Sequence, residues 1–583
     1  MSVFGSIARE KKGWRVHCEP QVRARLRRVF ASVIQHASSS LYISDTPEHA
    51  RDLLWFIERY PMLVEDKAYL VERAEAHKSA EQAIQALLSK HTPPAKITLA
   101  KPPRESQELV AAALEVRGGL LLADDLGVGK TVSAICTMRL KEALPALVVV
   151  PAHLPKHWEK KLAEFVPDLH VHTIRESKVY PLLKQGRRGK KGLREDSLPD
   201  VLICSYHKLK GWAETLSPLV KLVIFEECQQ LRNPGSGIYA ACQYVAERAP
   251  RRLGLSATPI YNYGSEFYWV LNCIHPETLG TREEFLREWC KGFQGKENIV
   301  SPEDFSAYLK REGLMLRRTR ADLKQELPPL QKIPVDVEAD LEVLSKLEGD
   351  AIELAKVILA KNERYKGEKF QAGGEFDRLM RQATGIAKAP YVAEFVRLLL
   401  ESGEQVILFG WHRAVYDIWA EKLSEYKPIF YTGTESPTQK AEAERLFVTK
   451  ERPLMFMSTR SGVGTDGLQS VCRTVVVGEL DWSSGVIDQD IARVYRDGQT
   501  DPVTAYIMVS DHGADPVMMN VLGIKREQSE GVLNPGRALL EPVVDTEGHI
   551  RQLAKALLER KGLVPEKAPE PPEDMPKSMS SAS

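Results

Sequence analysis

Short apolar runs recur along two stretches of the chain, separated by segments whose apolar positions repeat every three or four residues. Between about 104 and 275 the runs are GGLLLA, ALVVVP, DVLICSY, LVIFEE and RLGLSA. Intervening segments such as PKHWEKKLAEF place Trp158, Leu162 and Phe165 on one helical face. Near-continuous apolar strands alternating with helices predict a mostly parallel sheet covered on both faces. A charged, helix-rich region follows from about 276 to 400. The rhythm then resumes with QVILFG, PIFYTG, PLMFMST, TVVVGEL and VTAYIMV, read as five more buried strands. The predicted fold class is α/β, with two parallel sheets flanked by helices and helical material between them.

The two ends read differently. Residues 1–98 form a separate unit containing GWRVHCEP, a basic helix-like stretch QVRARLRRVFASVI, a strand-like LYISD and a helix-like HARDLLWFIERYP. The prolines of KHTPPAKITLAKPPR favour an extended linker. The tail VPEKAPEPPEDMPKSMSSAS has few large apolar residues and is expected to be disordered. The expected division is an accessory domain at 1–98, a first lobe at 99–275, the helical region at 276–400, a second lobe at 401–545 and a terminal helix and tail at 546–583.

At 583 residues, 43% hydrophobic and 27% charged, the chain has the size and composition of several globular domains. No apolar run reaches the roughly 18–20 residues of a membrane span. The opening MSVFGSIAREKKGW lacks the apolar core of a secretory signal. The eight cysteines form no C-x-x-C pair, which suggests neither a zinc site nor a disulfide framework. The expected compartment is therefore the cytoplasm. A net charge of +1 means that any nucleic-acid binding must come from local basic surfaces.

Chemistry enters at LLLADDLGVGKTVSAICTM, Leu120 to Met138. An apolar strand stops at two aspartates, crosses a glycine-rich turn and reaches Gly-Lys-Thr. Backbone N–H groups around Gly127 and Gly129 can turn toward an anion, and the following helix adds its positive end. Asp125, Gly127, Val128, Gly129, Lys130 and Thr131 are thus candidates for cradling phosphates, with Lys130 on the outer phosphates and Thr131 on Mg²⁺. The general pattern wants glycine at 124, where this chain has Asp124. Such a loop needs carboxylates on a neighbouring strand, and KLVIFEECQQLRN offers Glu226 and Glu227 at a strand's carboxyl end. One acid would hold the Mg²⁺ shell and the other orient the attacking water. LGLSATPIYN adds Ser256 and Thr258 as hydroxyls able to relay the state of the acid pair. STRSGVGTDGLQ is a second hydroxyl- and glycine-rich loop, suited to phosphates of ATP or of a nucleic acid. DQDIARVYRDGQ spaces Gln489, Arg493 and Arg496 by four and three residues, which predicts one helical face. Arginines there act as fingers across a cleft or form a solvated basic face. KQGRRGKKGLR, Lys184 to Arg194, is the strongest charge run, either a phosphate grip or a solvated loop.

The order DDLGVGKT, VVVPAHLPKHW, ICSYHKL, FEECQQLRN, LSATPIYN, LMLRRTRADLKQELPP, STRSGVGTDGLQ and DQDIARVYRDGQ resembles the Swi/Snf-type branch of the superfamily-two helicases over about 104–512. That branch typically carries an acid where Asp124 stands. The phrasing of DGLQSVCRTVVVGELDW is similar to bacterial and phage members. The resemblance implies two RecA-like lobes with ATP and Mg²⁺ in the cleft and double-stranded DNA across both. It implies Gln107 as the adenine contact, Glu227 as general base, Thr131 and Glu226 on the metal, and Gln489 on the nucleotide. Arg493 and Arg496 would be fingers from the second lobe, Gln229, Ser256 and Thr258 coupling residues, and Ser458 and Thr459 DNA-backbone contacts. Three positions depart from the pattern: Glu226 replaces an aspartate, Gln229 a histidine and Ala492 a glycine. The implied function is an ATP-driven translocase on duplex DNA. An ATP-dependent DNA clamp with weak hydrolysis, motivated by Glu226, and an RNA-directed helicase are the rivals.

Overall fold

The computed structural model describes residues 3–11, 13–30, 40–89, 91–182, 198–257, 264–276, 278–292, 297–319, 322, 327–359, 366–459, 467–520, 522 and 546–563. Lys184–Arg194, the tail beyond 563, Thr258 and most of STRSGVGTDGLQ (460–466) lie outside these residues.

Four strands open the chain: β1 (Gly5–Glu10), β2 (Gly13–Cys18), β3 (Ser40–Ser44) and β4 (Leu63–Val64). They pair in the order β3-β2-β1-β4. Trp14, Val16 and Ile43 are buried with Leu53 and Phe56 of the helix Pro47–Arg59 and Leu70 of the helix Lys67–Leu88. This unit is docked on the helices Arg282–Trp289 and Pro302–Arg311. The Ser44 hydroxyl donates to Glu284 Oε2 at 2.5 Å, and the Tyr308 hydroxyl to Glu48 Oε2 at 2.8 Å.

The first lobe contributes β5 (Gly119–Leu122), β6 (Ala146–Val150), β7 (Val171–Thr173), β8 (Val201–Ser205), β9 (Leu222–Glu226) and β10 (Arg251–Leu255). A small pair, β11 (Cys290–Lys291) and β12 (Asn298–Ile299), follows, and then β13 (Met315–Leu316). The seven-stranded sheet runs β13-β5-β10-β9-β6-β8-β7, all parallel. Alternate residues serve opposite faces: Leu121, Leu147, Val223 and Phe225 in one core, Leu120, Leu122, Val148 and Ile224 in the other. Burial on both faces is why these strands read as unbroken apolar runs.

The second lobe is built from β14 (Leu330–Asp336), β15 (Val406–Gly410), β16 (Ile429–Tyr431), β17 (Leu454–Ser458), β18 (Thr474–Val477) and β19 (Val503–Val509), in the parallel order β14-β19-β18-β15-β17-β16. The fold is thus α/β with two RecA-like sheets. The helix Lys366–Glu401 covers one face, packing Val392 and Val396 with Leu408 and Phe456. Between 276 and 400 the chain also supplies an edge strand to each sheet, β13 to the first and β14 to the second. Neither leaves an apolar run in the sequence: β13 is two residues long, and LQKIPVD of β14 is mostly exposed. All eight cysteines are free thiols. Among the described residues no helix is long and apolar enough to cross a membrane.

Candidate active site

The carboxyl ends of β5 and β9 bring the phosphate-type loop and the acid pair together. After β5 the chain turns through Gly127 (φ 79°) and Gly129 (φ 98°) into the helix Lys130–Thr137. Both glycines hold left-handed backbone that a side chain disfavours. Gly129 is further constrained because a Cβ there would stand 2.8 Å from Gln107 Nε2. Gln107, in the first turn of the helix Glu105–Arg117, is buried and accepts from the Arg104 backbone N–H at 2.9 Å. The adenine-side candidate and the phosphate-side candidate therefore touch. The Lys130 ammonium donates to the carbonyls of Asp124 at 2.8 Å and Asp125 at 3.1 Å. Burial lowers its pKa, opposed by the fields of Asp124, Glu227 and Glu226. Thr131 follows on the same first turn, and Val128 is buried beneath the loop.

Asp124 has a definite task here. Its side chain is fully buried and accepts from the Arg318 backbone N–H at 3.0 Å and from Arg318 Nε at 3.0 and 3.1 Å. Arg318 Nη2 completes a bidentate pair with Asp124, and the neighbouring Arg317 pairs with Asp125. A glycine at 124 would leave the Arg318 guanidinium without its carboxylate.

Glu226 ends β9 and Glu227 begins the turn after it, with φ 52° and ψ 55°. Left-handed backbone at a glutamate costs about 1–2 kcal/mol, so the surrounding structure holds this turn against that cost. Gln229 Nε2 donates to Glu227 Oε2 at 2.6 Å, while Gln229 Oε1 is buried with no partner among the described residues. Glu226 Oε2 accepts from the Trp158 indole N–H at 3.1 Å. Burial raises the Glu226 pKa, Glu227 raises it further, and Lys130 and the Trp158 bond oppose the rise. The Tyr206 hydroxyl donates to the Glu226 carbonyl at 2.8 Å and fixes the strand end. Ser256, buried after β10, donates its backbone N–H to Leu122 O at 3.1 Å, beside the start of the loop.

The second lobe closes the cleft. The helix bearing Gln489 spans Ser484–Ile491 and stops there. Arg493 and Arg496 therefore lie in the turns after it rather than on one helical face with Gln489. The Arg493 N–H bonds the Asp490 carbonyl at 3.2 Å, a tighter turn, and Gly498 (φ 92°) carries the chain away. Arg493 is pulled inward: burial lowers its pKa, Asp490 raises it, Arg496 lowers it, and Glu227 of the first lobe raises it. Its Nε is buried without a partner among the described residues. His153, from VVVPAH of the first lobe, is exposed on the surface yet lies in the fields of Arg493 and Lys440 of the second, which oppose its protonation. Across the cleft Arg104 Nη2 meets Asp497 Oδ2 at 2.6 Å. Ser458 and Thr459 sit buried at the carboxyl end of β17, the Thr459 N–H bonded to Gly410 O at 3.2 Å.

Three contributors carried no assignment from the sequence. Trp158 read as a core residue of an amphipathic helix, and its indole N–H is what reaches the acid pair. The Arg317–Arg318 pair was visible in LMLRRTRADL without a role. Asp490, fully buried beside Arg493, has no local signature.

These features define a two-lobed P-loop nucleotide-site architecture. The sequence profile of the SNF2-related domain matches residues 46–371, over half of the chain, and the protein belongs to that family. Similar proteins include the SWI/SNF-related matrix-associated actin-dependent regulator of chromatin subfamily A-like protein 1 of Xenopus tropicalis, 26% identical over 69% of this chain and 42% of that one. The human DNA annealing helicase and endonuclease ZRANB3 is 23% identical over 72% of this chain and 39% of its own length. The chain thus spans about two-fifths of these curated relatives. A solved Sulfolobus solfataricus SWI2/SNF2 ATPase core in complex with dsDNA aligns at 20% identity, covering 76% of this chain and 96% of that one, with a TM-score of 0.36.

Proposed function

We propose that the chain is a DNA-dependent ATPase that converts ATP hydrolysis into movement along double-stranded DNA. The observation that carries this reading is convergence across the cleft: Lys130, Glu226 and Glu227 act on one another in one lobe, and Glu227 among them meets the field of Arg493 from the other. Family membership and DNA-acting relatives support the substrate class.

The residues fit ATP and Mg²⁺. Two left-handed glycines and a helix N-terminus form a cradle for phosphates, and Gln107 touches its far wall. Thr131 and Glu226 would hold the metal, and Gln489 would lie on the nucleotide side of the second lobe. Bound together, ATP and Mg²⁺ supply the transferable phosphoryl group and neutralise much of its charge. Lys130 would leave the loop carbonyls for the outer phosphates. Glu227, oriented by Gln229, would accept the proton of the attacking water at its carboxylate. Arg493 and Arg496 would stabilise the charge that develops as the lobes close, which makes turnover depend on closure. Ser458 and Thr459 would contact the DNA backbone.

A second reading, an ATP-dependent clamp with weak hydrolysis, is favoured by one observation: Glu226 is buried and committed to Trp158. ATP turnover measured with duplex DNA, single-stranded DNA, forked DNA, RNA and no nucleic acid separates the readings. Duplex-stimulated turnover abolished by Lys130→Ala supports the motor. Nucleotide binding without turnover supports the clamp, and stimulation by RNA alone overturns both.

A further inference from the structure

The first lobe hands the chain to the second through residues 317–329, between β13 and β14. The root of that crossing is not free. Leu121 and Ala123 donate their N–H groups to Leu314 O at 2.9 Å and Leu316 O at 2.8 Å, and Asp125 donates to Arg318 O at 3.1 Å. The phosphate loop and the departing segment therefore run side by side as one ladder. Side chains lock it: Arg318 grips the buried Asp124 carboxylate, and Arg317 pairs with Asp125 while donating to the Ala123 carbonyl at 2.5 Å. Arg318 Nη1 also donates to the Ser106 carbonyl, next to Gln107. One guanidinium thus joins both walls of the nucleotide pocket to the start of the interlobe crossing.

From this we infer that Arg318 is a positioning residue that ties the state of the phosphate loop to the path of the chain between the lobes. The input is local. Lys130 is held by the carbonyls of Asp124 and Asp125, the same two residues whose carboxylates hold Arg318 and Arg317. When Lys130 turns to a phosphate it releases those carbonyls, and the loop is freed to shift. The Asp124 side chain is fully buried, so parting it from Arg318 would strand an uncompensated charge in the interior. The root of the crossing must follow the loop instead. A bidentate guanidinium transmits such a shift with fixed geometry, which a single ammonium does not.

This inference rests on the motor reading above, and the test separates the two. ATP turnover on duplex DNA and third-strand displacement from a triplex are measured for the parent, Arg318→Lys, Asp124→Asn and the double variant, with thermal melting as a check on folding. A parent without DNA-stimulated turnover overturns the motor reading before any variant is compared. Given an active parent, Arg318→Lys is expected to lower displacement per ATP hydrolysed at least about tenfold while kcat falls less than about threefold. Because both residues act as one unit, the double variant is expected to be no worse than Asp124→Asn alone. A parental displacement-to-hydrolysis ratio in Arg318→Lys, a proportional fall of both quantities, or additive losses in the double variant would each overturn the proposal. Asp124→Asn retains an oxygen for the Arg318 N–H and carries the same ratio test if the lysine variant melts early.

Discussion

The indole N–H of Trp158 donates to Glu226 Oε2 at 3.1 Å, so the acid that is one methylene longer than its family counterpart has a fixed partner. Trp158 has no solvent exposure. Shortening the acid therefore does more than restore the usual residue. Glu226→Asp is expected to withdraw the carboxylate and leave a buried indole N–H unpaired, lowering stability by about 1–3 kcal/mol. Trp158→Phe in the same background removes the stranded donor and should recover part of that loss. Melting curves of the two single variants and the double variant measure the coupling, and additive losses would show that the bond carries no weight.

Glu227 and Gln229 form the second pair to test. Glu227→Gln is expected to keep nucleotide bound while slowing hydrolysis roughly 10²–10⁴-fold, the range for losing a general base. Gln229→Ala removes the 2.6 Å bond that orients the carboxylate. It should lower kcat by less, with KM for ATP little changed. Steady-state kinetics beside equilibrium binding of a fluorescent nucleotide distinguish the two effects. Parental turnover in Glu227→Gln would remove the residue from the base role.

Arg493 is half-buried with its Nε enclosed, and desolvation depresses its pKa against the pull of Asp490. A guanidinium held this way is placed to meet charge that develops late in the reaction. Arg493→Ala is expected to reduce turnover about 10³-fold and nucleotide affinity far less. Asp490→Asn, which leaves the arginine in place without its neighbouring charge, should have an intermediate effect. Turnover unchanged in Arg493→Ala would make the residue a structural cation.

In the second lobe Lys388 Nζ donates to Asp515 Oδ2 at 2.6 Å and to the Met508 carbonyl at 2.8 Å, with both side chains almost fully buried. The pair fastens the helix Lys366–Glu401 to β19 at Met508 and to the helical turn that starts at Asp515. Lys388→Met strands the carboxylate and is expected to cost about 3–5 kcal/mol. Lys388→Met with Asp515→Leu should be less damaging than Lys388→Met alone. Thermal melting of the full chain tests this order, and a double variant worse than the single would contradict it.

His275 is fully enclosed, hydrogen-bonded to Leu314 O at 3.0 Å, and its pKa is lowered to about 3, first by burial. Its folded pKa lies below the unfolded value of about 6.5, so the unfolded chain binds the extra proton between those limits. The stability it contributes is complete above about pH 6.5 and is lost as the pH falls toward 3. His275→Gln should flatten the fall of the melting temperature between pH 6.5 and 5, although other groups, His77 among them, titrate in the same direction. An identical pH profile in the variant would remove His275 from this account.

The sequence by itself determined the two buried parallel sheets. A strand covered on both faces must be apolar throughout, and that run survives in any context. It also determined the neighbourhood of Gly127, Gly129 and Lys130, because only a few residue types tolerate left-handed backbone beside an anion-binding helix end. The tertiary structure decided the rest. The strands β13 and β14 owe their existence to pairing with β5 and β19, since neither has an apolar run of its own. The end of the helix at Ile491 parts Arg493 and Arg496 from Gln489, which i, i+4 spacing could not reveal. Trp158 meets Glu226 across 68 residues of chain, and Asp124 meets Arg318 across 194. Such partners are chosen by burial: a carboxylate enclosed by the fold must find its donor wherever packing brings one, and sequence spacing carries no record of the choice.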